Sequence, residues 1–252
     1  MRRQLLYRII AGLFFLFVSA VHSSADQLSN AHWINTALVR LAPQSSQALL
    51  VTSQSTSSFH ATLHAMENRD GSWRQAFPPI KALLGKQGFA PPGTKREGDL
   101  RAPSGVFALK HTFGYAPSIQ SRMPYRQVDN HDIWVDDPAS SEYNRWVRQG
   151  QTTARSFEFL KLPDDRYKYV IVIEYNTDPV VRGVGSAIFI HVRRGANIPT
   201  HGCVAIAEEH MRKLLAWLDP AAAPVAVMGT RETLISLAEQ AKSNQKNIHK
   251  KE

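Results

Sequence analysis

The chain has 252 residues, 43% of them hydrophobic, with 30 Lys and Arg against 21 Asp and Glu for a formal charge of +9. That is ample for one well-filled core or two small ones. The cations fall in short pairs, Lys95-Arg96, Arg193-Arg194 and Lys250-Lys251, with no basic block interleaved with aromatics, which argues against nucleic acid as a partner. A basic surface of this kind suits an anionic polymer, and serves solubility equally well.

Residues 1–25 have the three parts of an export signal. Arg2, Arg3 and Arg8 supply charge, residues 9–20 are apolar, and Ser23-Ser24-Ala25 offers small residues for cleavage, with Val18-Ser19-Ala20 a second candidate site. The apolar run falls short of the roughly 20 residues a bilayer span needs. The expectation is an exported, periplasmic or cell-envelope protein with no membrane span in its mature chain. Cleavage leaves 27 cations against 21 acids, a net charge of +6.

Residues 26–47 form a lead-in. Strand signals begin at 48–53 and continue through the alternation of Phe59, Ala61, Leu63 and Ala65 with polar neighbours. Asn68 to Gly71 predicts a hairpin turn whose return arm carries Trp73 and Phe77. Residues 85–99, rich in Gly, Pro and charge, predict an exposed loop. Further strands are expected at 105–112, 133–135, 157–162, 167–175 and 186–192. The apolar run at 169–175 predicts a central strand covered on both faces. Residues 118–130 and 136–155 read as polar connections, the second with a helical turn over 141–148. Helices are expected at 207–218, stopped by Asp219-Pro220, and from an N-cap at Thr230 through residue 241. Residues 243–252 read as a loose, lysine-rich tail.

Cys203 is the only cysteine, so no disulfide can form within the chain. In the strand at 186–192, Ile188, Ile190 and Val192 share one face, which turns His191 to the other beside Ala187 and Phe189. The chain returns through Thr200-His201-Gly202-Cys203 and enters a helix shortly afterwards. A thiol near a helix N-terminus is favoured as thiolate, and a histidine across the loop suits a general base. Gly202 permits a tight turn whose N–H groups can face a developing oxyanion. A zinc site built from His191, His201 and Cys203 is a competing reading, although the spacing matches no finger pattern and a fourth ligand is not evident. A wall-binding domain without catalysis is another.

His191 followed by Thr200-His201-Gly202-Cys203 resembles the signature of the YkuD-type L,D-transpeptidases. The run Gly98 to Phe107 is similar to that family's Gly-Asp…Thr-Pro-x-Gly segment. The resemblance continues through Trp134 to Pro138, Tyr143 to Trp146, Gly185 to His191 and Cys203 to Ile206. It implies a single β-sandwich-like catalytic domain over 48–229, in keeping with the mainly β chain and flanking helices read above, and it leaves the C-terminal helix and basic tail to residues 230–252. It further implies Cys203 as nucleophile, His191 as proton donor and acceptor, and His201 and Gly202 shaping the oxyanion hole. The implied substrate is the peptide stem of peptidoglycan, cut at an L–D bond and transferred to an acceptor amine, or to water in a carboxypeptidase or cross-link hydrolase. No metal or cofactor is implied. Thr200, Arg193 and Arg194 are candidate substrate contacts; a solvated loop is the plainer account of the two arginines. Asp136-Asp137 before Pro138 reads as a turn. Tyr143, Asn144 and Trp146 either line a groove or fill space beneath a loop.

Overall fold

The computed structural model describes residues 32–248; the predicted export signal and residues 249–252 lie outside the described residues. Among the described residues thirteen strands run in chain order: β1 (Gln47–Ser53), β2 (His60–Arg69), β3 (Ser72–Gln75), β4 (Ile80–Leu83), β5 (Gly105–Gly114), β6 (Tyr125–Gln127), β7 (Asp132–Val135), β8 (Trp146–Arg148), β9 (Phe157–Phe159), β10 (Tyr169–Ile173), β11 (Phe189–Val192), β12 (Val204–Ile206) and β13 (Val225–Thr230). The helices are α1 (residues 32–41), α2 (Glu208–Trp217) and α3 (Arg231–Ile248).

The larger sheet runs β1-β13-β5-β10-β11-β12-β4-β2, and β2 pairs back to β1, so eight strands close into a ring. The sequence resemblance implied a sandwich; the hydrogen-bonding order instead describes opposite walls of one ring facing each other across a shared core. Period-two alternation builds it. Leu49 and Val51 of β1, Ile171 and Ile173 of β10, and Ile190 and Val192 of β11 point inward, joined by Met211, Leu214 and Leu215 of α2. Ala48 and Leu50 point outward against Leu38 of α1 and Leu234 of α3. On the far wall, Val170, Val172 and Phe189 point outward against Trp134 and Leu160, where the small β8-β7-β9 sheet covers the ring. β10 is thus covered on both faces, as its unbroken apolar run predicted.

Asp70 (φ 53°) and Gly71 (φ 80°) join β2 to β3 with Arg69 opposite Ser72, a two-residue hairpin turn of the expected kind. Thr230 caps α3, its Oγ1 accepting from Thr233 N–H at 3.3 Å.

Four expectations are corrected. Residues 85–99 fold into a strap with Phe89 and Lys95 buried, because Arg101 donates to the carbonyls of Gln87 (2.9 Å) and Phe89 (3.0 Å). The polar connections contain β6 and β8; the proposed helical turn gives way to a bend through Asn144 (φ 58°) and a short strand with Trp146 opposite Trp134. Three-residue strands like these are set by partners, which periodicity does not read. Ala187 (φ 51°) delays β11 until Phe189. Finally, α3 continues to Ile248, since nothing after residue 241 breaks a helix. Among the described residues no helix is long and apolar enough to cross a membrane.

Candidate active site

β11 and β12 pair in parallel, with Ile190 opposite Val204 and His191 opposite Ala205. Residues opposite each other share a face, and Cys203 lies two places before Ala205. His191 and Cys203 therefore emerge from the same outer wall of the ring, with Cα atoms about 8 Å apart from strand spacing and rise. Cys203 packs in the outer cluster with Ala187 and Phe189, the neighbours His191 was expected to have. Cys203 is only 8% exposed, and its thiol donates to the Ala187 carbonyl at 3.3 Å. His191 Nδ1 lies 2.9 Å from the Val192 carbonyl. A carbonyl only accepts, so Nδ1 carries the hydrogen and Nε2 keeps a free lone pair.

The expected helix terminus is absent from the thiol. β12 carries the chain about 10 Å onward before α2 begins, too far for its dipole to favour a thiolate. Burial instead pushes the Cys203 thiol up to about 12, with the Glu158 carboxylate adding to it and the Phe189 backbone, Lys95 and Arg166 opposing. Burial also lowers the His191 imidazole to about 4, against its hydrogen bond to Val192. At rest both the thiol and the imidazole are neutral.

Both line a pocket of about 530 Å³. Thr200, His201, Gly202 and Arg194 also line it; Arg193 does not, its N–H donating to the Ile206 carbonyl at 2.7 Å. Thr200 organises the turn: its hydroxyl donates to the Cys203 carbonyl (2.7 Å) and accepts from Gly202 N–H (3.1 Å). His201 is exposed at the rim. Gly85 sits where the strap crosses, since a Cβ there would lie 2.3 Å from the Leu100 carbonyl oxygen. Among the described residues, no group of three or more His, Cys, Asp or Glu is placed to hold a metal ion.

Sequence reasoning missed the opposite wall. Glu158 of β9 accepts from the Tyr167 hydroxyl at 2.6 Å, and the Tyr167 ring stands edge-on to His191 at 5.3 Å. The available signal was one carboxylate between Phe157 and Phe159 in a strand. Asp136 faces the pocket as well, with one carboxylate oxygen buried and unpartnered. Asp137 fits the turn reading, accepting from the N–H groups of Ala139 (2.9 Å) and Arg155 (2.8 Å). Tyr143 and Asn144 brace the chain ahead of β11. Tyr143 accepts from Gly185 N–H (2.9 Å) and donates to Glu97, while Asn144 accepts from Trp134 Nε1 (2.8 Å) and Ala187 N–H (3.1 Å). Trp146 packs on Phe113 beneath Arg126, filling space.

Burial raises Glu158 to about 7, offset in part by the Tyr167 hydroxyl and reinforced by Asp136. An acid titrating near 7 when folded and 4.5 when unfolded stabilises the fold fully below pH 4.5, and that contribution is lost as pH rises toward 7. Glu158→Gln should therefore gain on wild type by roughly 3 kcal/mol between pH 4.5 and 7. Urea unfolding at each pH measures this, and a difference that does not change with pH would refute the raised Glu158 carboxyl.

The chain belongs to the L,D-transpeptidase catalytic domain family, YkuD, whose model matches residues 59–227. It is a family of enzymes that act on peptidoglycan. The chain is similar to the helical cell shape determining protein Pgp2 from Campylobacter jejuni, at 16% identity and a TM-score of 0.38, over 72% of this chain and 46% of that one. It is also similar to Bdellovibrio bacteriovorus Bd1075, at 12% identity and a TM-score of 0.42, over 81% of this chain and 56% of that one. The chain thus spans about half the length of these two proteins. No curated protein matches it.

Proposed function

We propose that this protein is a peptidoglycan L,D-transpeptidase of the periplasm or cell envelope, exported by residues 1–25, with its catalytic domain at 48–229. Cys203 attacks the carbonyl of an L–D bond in a peptide stem. His191 Nε2 takes the thiol proton and passes it to the departing amine, leaving a thioester. An acceptor amine then attacks the thioester, His191 taking a proton from it and returning one to sulfur. His201 and Gly202 shape the turn that presents Cys203 N–H to the oxyanion, and Arg194 stands at the pocket rim within reach of a stem carboxylate.

The observation that carries this reading is the hydrogen bond from His191 Nδ1 to the Val192 carbonyl, which leaves Nε2 unprotonated on the face that also bears Cys203. Because thiol and imidazole are both neutral, the proton moves as sulfur attacks, in general-base fashion. The test is incubation of the purified protein with tetrapeptide-stem muropeptides. Cross-linked dimers are the expected product. Shortened monomers alone would assign hydrolysis to the same site, and unchanged substrate would overturn the reading.

A further inference from the structure

Lys95 lies in the strap with its side chain only 4% exposed, unusual burial for a lysine. Its ammonium has three hydrogens. One goes to Asp99 Oδ1 at 2.7 Å and one to the Arg96 carbonyl at 3.2 Å. Asp99 is fixed in turn by the N–H groups of Arg96 (2.8 Å) and Arg101 (2.9 Å). Burial works to raise its carboxyl, but the Lys95 ammonium and these two amides outweigh it, so it stays an anion.

The Lys95 stem runs between two glycines. A Cβ on Gly185 (φ 109°) would lie 2.9 Å from Lys95 Cε, and one on Gly202 (φ 156°) would lie 3.7 Å from Lys95 Nζ. The ammonium therefore stands beside the residue preceding Cys203, in the lining of the same pocket. Its charge acts on the Cys203 sulfur in the direction that favours thiolate. The backbone around the thiol is short of donors, because Gly202 N–H is committed to the Thr200 hydroxyl.

We propose that Lys95 is a catalytic residue, its third N–H donating to the scissile carbonyl oxygen as that oxygen becomes an oxyanion. The inference rests on the acyl-transfer reading above. The sulfur–carbon bond forms while the carbonyl π pair moves onto oxygen and the thiol proton moves to His191 Nε2. Lys95 holds the oxyanion and keeps its own proton. The pair then returns, the carbon–nitrogen bond breaks, and the amine leaves with the proton from His191.

The test uses the full chain with Lys95→Met, and Lys95→Met/Asp99→Asn to remove the buried anion where the single change fails to fold. Single-turnover acylation by a tetrapeptide-stem donor should slow about 100- to 1000-fold, with KM within about threefold of wild type. A rise in KM at unchanged acylation rate would make Lys95 a contact for a substrate carboxylate and overturn the proposal, as would wild-type kinetics. Iodoacetamide alkylation of Cys203 gives a readout that needs no peptide. Should wild type itself resist acylation by stem peptides, the functional reading fails separately and alkylation judges Lys95. Thiolate reactivity at fixed pH about tenfold lower in Lys95→Met supports the placement of the ammonium within electrostatic reach of the sulfur, on which the proposal depends, and an unchanged rate overturns that placement.

Discussion

Cys203→Ser should lower acyl transfer from a stem-peptide donor by about 10⁴-fold or more while the protein stays folded. An imidazole held near 4 is a weak base. It can assist a thiol that is intrinsically nucleophilic, but it is poorly matched to a serine hydroxyl. Stability should change by about 1 kcal/mol or less, because serine also donates to the Ala187 carbonyl that the thiol contacts at 3.3 Å. Rates from product analysis, with thermal unfolding as the folding control, measure both. A serine variant within about tenfold of wild type would remove sulfur from the chemistry.

His191→Asn should cost about 10³- to 10⁴-fold in kcat/KM. Its amide N–H still reaches for the Val192 carbonyl, so the local fold keeps its donor while the base at Nε2 is gone. The larger signature lies in the pH profile. Wild-type kcat/KM should fall on the acid side through the His191 titration near 4 and stay flat through neutrality, since the thiol titrates near 12. Without the imidazole, the reactive species must be thiolate formed with solvent. The residual rate should then climb about tenfold per pH unit toward alkaline pH. A flat profile in His191→Asn would mean that another group is the base.

Both expectations follow from alternation along a few strand residues. The inward turn of Ile190 and Val192 and the outward turn of His191 were legible because a strand allows no other arrangement, and the two hydrophobic clusters divide along that line. The Asp70-Gly71 hairpin and the Thr230 cap were legible for the same reason, being local chemistry. The ionisation of the site was not. The distance from Cys203 to a helix depended on whether residues 204–206 continued as strand or began to coil, and their pairing with β11 settled it. The pocket wall of Glu158, Tyr167 and Lys95 comes from segments 36 or more residues from Cys203 in the chain, brought together by the closure of the ring and the folding of the strap. Burial of Lys95 ran against its Gly- and Pro-rich surroundings. Those glycines mark close approach of the chain to itself, at Gly85 and Gly88, as much as exposure.

Intact-mass measurement after brief exposure to a tetrapeptide-stem donor, or to a carbapenem whose strained carbonyl accepts the same attack, addresses the sulfur directly. The expected result is a single acyl adduct that maps to Cys203 and is missing from Cys203→Ser. An unmodified wild-type protein, or an adduct that persists in the serine variant, would contradict the account.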